Sequence, residues 1–462
     1  MLNLYDTHTR TLRPFEPLVA GRVGIYVCGA TVQAPPHVGH IRSGLSFDIL
    51  RRWLMASNFD VTYIRNVTDI DDKIIHNASH EDVPYWVVAM RNERAFTWAY
   101  DVLGCLPPTY EPRATGHIPE MVALMQRLID IGYAYEVDGT VWFSVRSWKS
   151  YGSLSGQRLD DIMPSADAAT LGKRDLHDFA LWKAAKTDEP YWDTPWGPGR
   201  PGWHIECSAM ATKYLGAEFD IHGGGIDLVF PHHENEIAQS CSAGDAYARY
   251  WLHNAWVTTA GEKMSKSLGN SLLVTEVVKR VRPIELRYYL GSAHYRSMLE
   301  FSYDALEESA VGFRRIEAFL VRATEAAGRE LAMGVRSEVF DASMNDDLGV
   351  PGAIAVMHDT MRAGNAALAE GDNTVAVVAA ESVIAMLDVL GVNPYASHWS
   401  TSAAADDSRD KALGVLVAGA LQARTDARAK KDFAAADAVR DQLVEAGIVI
   451  EDTPAGPRWT VG

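Results

Sequence analysis

The first seventy residues alternate between short apolar runs and one long amphipathic stretch. Val23–Cys28 and Asp60–Asn66 are β-rich, and the segment between them, from about Val38 to Met55, has the Ile, Leu and Trp spacing of a helix. A glycine-containing turn joins the first run to this helix. Strand, turn, helix and strand in this order predict an α/β fold with a Rossmann-like, parallel nucleotide-binding sheet.

Two further strands are predicted at Glu218–Ile221 and Leu228–Phe230, on either side of a turn at residues 222–225. The pattern between the two groups of strands is different. Residues 133–145 alternate around an Asp-Gly pair, which is typical of a hairpin, and residues 183–202 are rich in Pro, Gly and Trp. This segment is predicted to be an insertion that splits the nucleotide-binding domain.

Beyond residue 300 the pattern changes to long amphipathic helices that end at glycine. The apolar positions of the first share one face, and so do those of a later helix that stops at Gly391; they are Leu306, Ala310, Phe313, Ile316 and Leu320, then Val383, Met386, Leu387 and Leu390. Residues 395–411 are polar and rich in Ser, Ala and Asp, which favours a linker. The chain then closes with a predicted helix and a short β-like tail from Ile448 to Trp459.

Composition adds only broad limits. A chain of 462 residues with 47% hydrophobic and 22% charged residues is an ordinary multidomain globular protein. The net charge of −17 argues against indiscriminate nucleic-acid binding but leaves a specific RNA partner open. Four scattered cysteines suit a reducing cytoplasm, and we see neither a secretory leader nor an apolar run approaching a membrane helix.

The turn before the first helix contains Pro36-His37-Val38-Gly39-His40. A helix N-terminus offers free backbone N–H groups and a positive dipole to phosphate, and Gly39 lets a nucleotide approach the backbone closely. Two histidines three residues apart can face the same phosphates. Taken alone, the motif is more often a turn with two surface histidines.

A second motif, Lys263-Met264-Ser265-Lys266-Ser267, follows Gly261. Two lysines and two serines in such a loop suit a mobile cationic lid that stabilises a leaving pyrophosphate. An isolated pair of lysines is more often part of a solvated basic loop.

A third set of residues contains metal-ligand types. His232 and Glu236 are four residues apart, so on a helix they project from one face and can hold one ion. Cys28 and Cys207 are far apart in sequence, and lone cysteines usually serve as small buried hydrophobes. Spacing alone therefore favours a pair of core cysteines over a metal site.

Together the first two motifs resemble the paired signatures of the class I aminoacyl-tRNA synthetases, and the surrounding sequence resembles one family among them, the cysteinyl-tRNA synthetases. The resemblance runs from residue 3 into the last ten residues. It is carried by residues 4–7 (LYDT), 28–31 (CGAT), 66–73 (NVTDIDDK), 202–210 (GWHIECSAM), 220–225 (DIHGGG) and 230–236 (FPHHENE). Ala30, Gln33 and Val38 depart from the family's more frequent residues, but none of them carries a functional group on which the prediction depends.

The resemblance implies ATP-dependent ligation of L-cysteine to tRNA(Cys) through a cysteinyl-adenylate, with one Zn²⁺ per chain and Mg²⁺ accompanying ATP. The implied catalytic residues are His37, His40, Lys263 and Lys266. The implied ATP and adenylate contacts are Gly39, Ser43, Gly225, Asp227, Val257 and Lys266. The implied cysteine pocket is Gly29, Thr31, Thr68, Trp203 and His222, and the implied zinc ligands are Cys28, Cys207, His232 and Glu236.

Zinc would explain the choice of cysteine, because it takes sulfur readily and deprotonates a thiol, whereas serine offers a harder oxygen. A site of this kind can discriminate by ~10⁴–10⁵ without editing. Residues 126–202 are too short for an obvious editing domain, in agreement with that expectation. The implied mechanism also expects Glu236 to loosen from the metal when the substrate thiol binds. The acidic cluster Asp69, Asp71 and Asp72 is interpreted as structural and solvated.

The resemblance gives the predicted domains their names. The Rossmann-like catalytic domain is expected in two halves, 1–125 and 203–255, around a connective insertion at 126–202. Residues 256–303 are expected to form the lid-loop and stem-contact region, 304–395 a helical anticodon-binding bundle, and 411–462 a small C-terminal tRNA-binding unit. Partners are expected to be tRNA(Cys), ATP and L-cysteine, with no membrane, for a cytoplasmic monomer.

Two other functions fit parts of the sequence. A cysteine ligase that joins cysteine to an amino sugar inositol would share the zinc and adenylate chemistry without tRNA. A zinc-stabilised RNA-binding protein without catalysis would need neither signature motif. The C-terminal region distinguishes the inositol ligase from a synthetase, because residues 421–440 carry five Lys and Arg against three Asp. Each basic residue alone suits a solvated helix face. Trp459 is expected either to stack on an anticodon base or to cap a small core.

Overall fold

The computed structural model describes residues 1–161, 172–259, 262–263, 272–453 and 456–461. These residues divide into two compact units, Met1–Asn393 and Pro394–Gly462.

The first unit contains thirteen of the strands in the described residues and twelve of the helices. Its strands are β1 (Asn3–Asp6), β2 (Thr11–Pro14), β3 (Arg22–Val27), β4 (Asp60–Arg65), β5 (Ala134–Val137), β6 (Thr140–Phe143), β7 (Phe179–Ala184), β8 (Gly199–Pro201), β9 (Glu218–Gly225), β10 (Tyr247–Asn254), β11 (Val257–Thr259), β12 (Glu262–Lys263) and β13 (Leu299–Glu300). Its helices are α1 (Val38–Ala56), α2 (Asp72–Glu81), α3 (Tyr85–Val102), α4 (Ile118–Asp130), α5 (Trp203–Leu215), α6 (Glu234–Ser242), α7 (Val274–Val277), α8 (Pro283–Ser292), α9 (Tyr303–Ala327), α10 (Glu338–Asn345), α11 (Val350–Glu370) and α12 (Asn373–Leu390).

A four-stranded parallel sheet in the order β10-β9-β3-β4 forms the centre of the first unit. The helix α1 connects β3 to β4, so the βαβ unit predicted from the first seventy residues is confirmed. Ligands of open parallel sheets bind at the carboxyl ends of the strands. In this sheet those ends lead into Cys28 after β3 and Ala255 after β10, and Gly225 closes β9.

The prediction of two strands around a turn at 222–225 is wrong. The single strand β9 runs through all three glycines of this segment, and Leu228–Phe230 falls in a helical turn. Glycine is needed in the strand because α1 packs directly on it. A Cβ on Gly223 would lie 2.2 Å from the ring of Phe47, so the glycines serve close packing here and do not form a turn.

The segment between the two halves of the sheet contains an antiparallel sheet in the order β5-β6-β7-β8. The hairpin predicted around residue 138 is confirmed. Asp138 and Gly139 join β5 to β6 with φ of 50° and 79°, the left-handed values that a two-residue hairpin turn requires.

The helices after residue 300 bury the faces that the sequence predicts. All five predicted positions of α9 are buried, and α12 ends at Gly391, whose φ is 71°. The helix α12 is long and apolar enough to cross a membrane by length and composition, which the sequence analysis did not anticipate, but 56% of it is buried inside the structure. It packs against α9 and α11, as a core helix of a bundle does.

The second unit contains α13 (Ser397–Ala429), α14 (Phe433–Glu445), β14 (Ile448–Thr453) and β15 (Gly456–Val461). The predicted linker at 395–411 is wrong, because most of this stretch forms the start of α13; its many alanines are strong helix formers. The two strands pair antiparallel. Val417, Leu421, Leu443 and Ile448 form a small core against which the half-buried Trp459 packs, which supports the capping role for this side chain.

Candidate functional site

A cleft with a volume of about 600 Å³ opens at the carboxyl ends of the parallel strands. Its walls come from the ends of β3, β9 and β10, the start of α1 and the start of α5. Eleven predicted site residues line it: Cys28, Gly29, Thr31, His37, Gly39, His40, Ser43, Trp203, Gly225, Asp227 and Val257.

The N-terminus of α1 forms one rim of the cleft. His37 is the residue that precedes the helix, and its backbone N–H donates to Nδ1 of His40 at 3.3 Å. The two imidazoles are stacked with centroids 3.7 Å apart. The first turn of α1 contains no acidic residue, so no carboxylate in that turn opposes the binding of an anion at the positive end of the helix.

The opposite rim is formed by the residues that follow β9 and β10. The indole N–H of Trp256 donates to Asp227 Oδ1 at 3.1 Å, and Ser43 Oγ donates to Asn254 Oδ1 at 2.8 Å. The second bond ties α1 to the end of β10, so the two rims are directly connected below the cleft.

At the base of the cleft, one sulfur from each of two cysteines and one atom each from an imidazole and a carboxylate lie within 4.8 Å of one another. The four residues are Cys28, Cys207, His232 and Glu236, and all are buried. Cys28 Sγ lies 3.5 Å from Cys207 Sγ and 3.4 Å from Glu236 Oε1, and His232 Nε2 is 3.3 Å from the same oxygen. Two thiols, an imidazole and a carboxylate converging on one point are a donor set that suits Zn²⁺.

The second oxygen of Glu236 faces away from the sulfurs. Oε2 accepts from the Tyr247 hydroxyl at 2.7 Å and lies 2.8 Å from His222 Nε2. Burial raises the pKa of Glu236, but the neighbouring imidazoles of His222 and His232 and these hydrogen bonds outweigh it and hold the pKa below its ordinary value. Glu236 is therefore a carboxylate with one oxygen pinned and the other directed at the cluster.

His232 is oriented from behind in the same way. Its Nδ1 lies 2.9 Å from His204 Nδ1, and the Trp203 ring stacks on it with centroids 4.3 Å apart. Burial lowers the pKa of His232 to about 3, so the imidazole is neutral, as a metal ligand has to be.

A second group of four, Cys28, His222, His233 and Glu236, is equally compact and shares two members with the first. It offers a single thiol. His233 Nδ1 also already pairs with His253 Nε2 at 2.8 Å. The group with two thiols is the better zinc site, because its imidazole and its carboxylate are both backed by partners that leave one ligand atom directed inward.

Not every predicted residue reaches the cleft. Thr68 and His222 are buried behind the cleft wall, where Thr68 Oγ1 donates to Glu206 Oε2 at 3.0 Å and His222 contacts Glu236. Lys266 lies outside the described residues. Of Lys263 only the backbone is described, and it pairs with Thr258 in the strand that leaves the cleft.

Several residues of the site, including the following four, were missed by the sequence analysis. Lys73 and Asn254 line the cleft, and Tyr247 and His204 hold cluster residues in place. Lys73 and His204 lie inside segments that carry the family resemblance and were open to inspection there. Tyr247 and Asn254 carry no local signal, because only the pairing of β10 with β9 brings them to the site.

The acidic cluster before α2 is structural, as predicted, but it is not uniformly solvated. Asp71 caps α2 through Lys73 N at 2.8 Å, and the buried Asp69 accepts from both the backbone and the hydroxyl of Thr115. Asp72 pairs with Lys183 and Arg200 of the inserted sheet.

Fold and cleft together define a class I aminoacyl-tRNA synthetase. The family described as "tRNA synthetases class I (C) catalytic domain" matches residues 14–311. Among solved structures, Mycobacterium tuberculosis methionyl-tRNA synthetase in complex with methionyl-adenylate has a TM-score of 0.59 at 16% identity, covering 80% of this chain and 90% of that one. At this identity the likeness concerns the fold alone.

The C-terminal part and the relatives narrow the assignment further. Residues 339–393 match the "DALR domain" and residues 413–459 the "Cysteinyl-tRNA ligase anticodon binding domain". The cysteine–tRNA ligase of Streptomyces griseus is 58% identical over 462 residues, covering 100% of this chain and 99% of the relative. That of Streptomyces coelicolor is 59% identical, covering 100% and 75%. This chain belongs to the cysteine–tRNA ligase family.

Proposed function

We propose that this chain charges tRNA(Cys) with L-cysteine at the expense of ATP, through a cysteinyl-adenylate. The observation that carries the proposal is identity of 58% along the whole length of a cysteine–tRNA ligase. A cleft that joins a helix N-terminus at one rim to a buried Cys, Cys, His and Glu cluster at its base supports it.

In the first step the cysteine carboxylate attacks the α-phosphate of ATP and pyrophosphate leaves. The N–H groups at the start of α1, with His37 and His40, bind the phosphates and stabilise the charge that develops on them. Lys263 and Lys266 are proposed to add positive charge to the phosphate site, and Mg²⁺ is proposed to accompany the triphosphate. Catalysis here is positioning and electrostatics, so no covalent enzyme intermediate is expected.

The nucleoside half of ATP is proposed to lie along the other rim. Gly225 and Asp227 at the end of β9 are positioned for the ribose, and the buried Val257 at the start of β11 lies beside the adenine site. Ser43 supports this arrangement through its bond to Asn254.

We propose that Cys28, Cys207, His232 and Glu236 hold one Zn²⁺. When bound, the metal supplies a soft Lewis acid that takes a thiol as thiolate and so favours cysteine over serine. Gly29, Thr31 and Trp203 line the cleft above the cluster and are proposed to contact the amino and carboxylate groups of cysteine. Thr68 and His222 act indirectly, through Glu206 and Glu236.

The second step transfers cysteine to the terminal adenosine of the tRNA. The match of residues 413–459 to an anticodon binding domain supports tRNA as the acceptor, and no observation favours the amino sugar inositol ligase. We further expect a soluble, cytoplasmic monomer, with the predicted division into catalytic, connective, stem-contact and tRNA-binding parts.

Cysteine-dependent exchange of pyrophosphate into ATP by the purified chain tests the first step. Exchange with cysteine, and far less with serine, is expected. Absence of exchange would overturn the enzymatic function as a whole, whereas exchange without transfer to tRNA(Cys) would favour the inositol ligase.

A further inference from the structure

Arg42 is a buried cation directly behind the cleft. It follows His40 by two residues in α1 and is 1% exposed. Its Nη1 donates to the carbonyl oxygens of Ala255 at 3.0 Å and Trp256 at 2.8 Å. Its Nη2 donates to those of His294 at 3.1 Å and Ser297 at 2.6 Å. One guanidinium thus joins α1 to two other segments of the chain.

This environment differs from that of Arg287, which is buried to the same extent. Arg287 is paired with the carboxylate of Asp48 at 2.6 Å. The four acceptors of Arg42 are instead main-chain carbonyls, and its Nε has no partner among the described residues. Burial lowers the pKa of Arg42 to about 10, which keeps the guanidinium charged at neutral pH. A desolvated cation without an acid partner costs free energy. The four carbonyl contacts of Arg42 therefore indicate a role beyond stability.

One of the two segments that Arg42 holds, residues 255–256, forms an edge of the nucleotide side of the cleft. Ala255 and Trp256 line the cleft and lead directly into Val257. The turn at 294–297 supports them, because Ala255 N donates to Tyr295 O at 2.8 Å and Leu299 N donates to Trp256 O at 3.0 Å. Beyond this edge, the indole of Trp256 holds Asp227.

The phosphate side is fixed by the same helix. His37, Gly39 and His40 lie within the first turn of α1 or just before it, two to five residues before Arg42. Arginine can serve both segments at once because its planar fork presents several donors in a rigid arrangement; a lysine ammonium, as a single point, cannot.

We propose that Arg42 is a positioning residue for ATP. It holds the 255–257 rim at a set distance from the His37–His40 helix end, so that one nucleotide reaches its phosphate site and its nucleoside site together. The proposal rests on the proposed function, since it assigns Arg42 to the ATP half of that reaction. Arg42 touches neither substrate. Its substitution should therefore weaken ATP binding and leave cysteine binding and the metal cluster unchanged.

The test compares Arg42→Met and Arg42→Lys with Arg287→Lys, a matched change at a buried arginine that faces away from the cleft and toward Asp48. KM for ATP, KM for cysteine and kcat are measured by pyrophosphate exchange, and thermal unfolding is followed for each protein. Arg42→Met is expected to raise KM for ATP by about tenfold or more, as for the loss of a charge-assisted hydrogen bond. KM for cysteine and zinc content should stay as in the parent, with Arg42→Lys intermediate.

Arg287→Lys is expected to lower the unfolding temperature without raising KM for ATP. An unchanged KM for ATP in folded Arg42→Lys and Arg42→Met would overturn the proposal, and so would a parallel rise in both KM values. If Arg42→Met does not fold, Arg42→Lys decides by the same criteria. If the parent shows no exchange, the proposed function fails on its own, and Kd for ATP measured directly on the parent and Arg42→Lys still tests the role of Arg42.

Discussion

Glu236 presents its two carboxylate oxygens to different partners, and this division defines the cluster at the scale of single residues. Oε1 faces the sulfur of Cys28 and the imidazole of His232, and Oε2 is held by Tyr247 and His222. A carboxylate fixed in this way offers one oxygen to a metal at a defined position. Any loosening of Glu236 on substrate binding would have to occur against these two hydrogen bonds.

Removing one of the two hydrogen bonds to Glu236 Oε2 should weaken metal binding while the fold is retained. Tyr247→Phe deletes the hydroxyl that donates to Oε2, and zinc affinity is expected to fall by ~10–100-fold, as for other changes around metal ligands. Competition with a chromogenic chelator measures it. Tyr250→Phe is the control, because its hydroxyl lies in the same strand and bonds to Pro14 O. Equal zinc affinity in both variants would contradict this role.

Replacing a proposed zinc ligand should reduce zinc binding more than Tyr247→Phe does. Cys28→Ser replaces a soft sulfur with a hard oxygen, so the purified variant is expected to lose most of its zinc and its cysteine-dependent exchange while still binding ATP. Metal analysis, exchange and ATP binding check the three parts. Cys105→Ser, at a buried cysteine outside the cluster, should retain all three; undiminished zinc in Cys28→Ser would remove Cys28 from the ligand set.

At this scale the sequence singled out the four residues that converge in the cluster but not the residues that hold them in place. Cys28 and Cys207 had no useful spacing, and only the resemblance singled them out. Tyr247 could not be predicted, because its role depends on the register that sets β10 beside β9. His222 was assigned to the pocket, but side chains alternate between the two faces of β9, and His222 lies on the face that contacts Glu236.

At the scale of elements, α1 is held by buried charges along its length. Asp48 accepts from Arg52 Nε at 2.8 Å, from Arg287 Nη2 at 2.6 Å and from the backbone N–H of Leu106. These contacts tie α1 to α8 and to the segment after α3. They hold the middle and the C-terminal half of α1, away from the residues that line the cleft.

The Asp48 carboxylate should make stability sensitive to acid. Burial raises its pKa, but Arg287 and Arg52 outweigh burial and lower it below its ordinary value. A depressed folded pKa stabilises the protein above the unfolded value of ~3.9, and this stability is lost as pH falls through the folded pKa. Asp48→Asn should therefore be less stable at pH 7, by roughly 3–5 kcal/mol.

Urea unfolding between pH 7 and pH 3 measures this effect. The difference in unfolding free energy between the parent and Asp48→Asn is expected to be constant down to about pH 4 and to shrink below it. Glu308→Gln, at an exposed glutamate of α9, is the control and should follow the parent. A difference that stays constant throughout the acid range would show that the charge of Asp48 is not the cause.

The elements that the sequence predicted correctly are those with a regular apolar period, such as α1, α9 and α12. The wrong predictions, a turn and a linker, were based on local composition and not on a periodic pattern. Three consecutive glycines suggested a turn, yet they continue β9 because Phe47 packs on Gly223. The polar stretch at 395–411 suggested a linker, yet its alanines continue into a 33-residue helix.

At the scale of the molecule, the sheet, the cleft and the cluster all belong to the first unit, and the second unit has a small core of its own. The match to an anticodon binding domain falls in this second unit. Adenylate formation and tRNA recognition are therefore expected to be separable.

A chain ending at Asn393 should keep cysteine-dependent pyrophosphate exchange and lose efficient charging of tRNA(Cys). Exchange and charging are measured at matched enzyme concentrations, with the whole chain as reference and circular dichroism to confirm that the shortened chain is folded. Unimpaired charging at limiting tRNA would remove the second unit from tRNA binding, and loss of exchange in a folded protein would show that the first unit does not act alone.

Cysteine–tRNA ligase activity is tested most directly by transfer of labelled cysteine to tRNA(Cys) by the whole purified chain. With ATP present, acid-precipitable label should accumulate on the tRNA from cysteine, whereas serine should give none above background. Activation of cysteine without its transfer to tRNA(Cys), or charging of serine as readily as cysteine, would contradict this function.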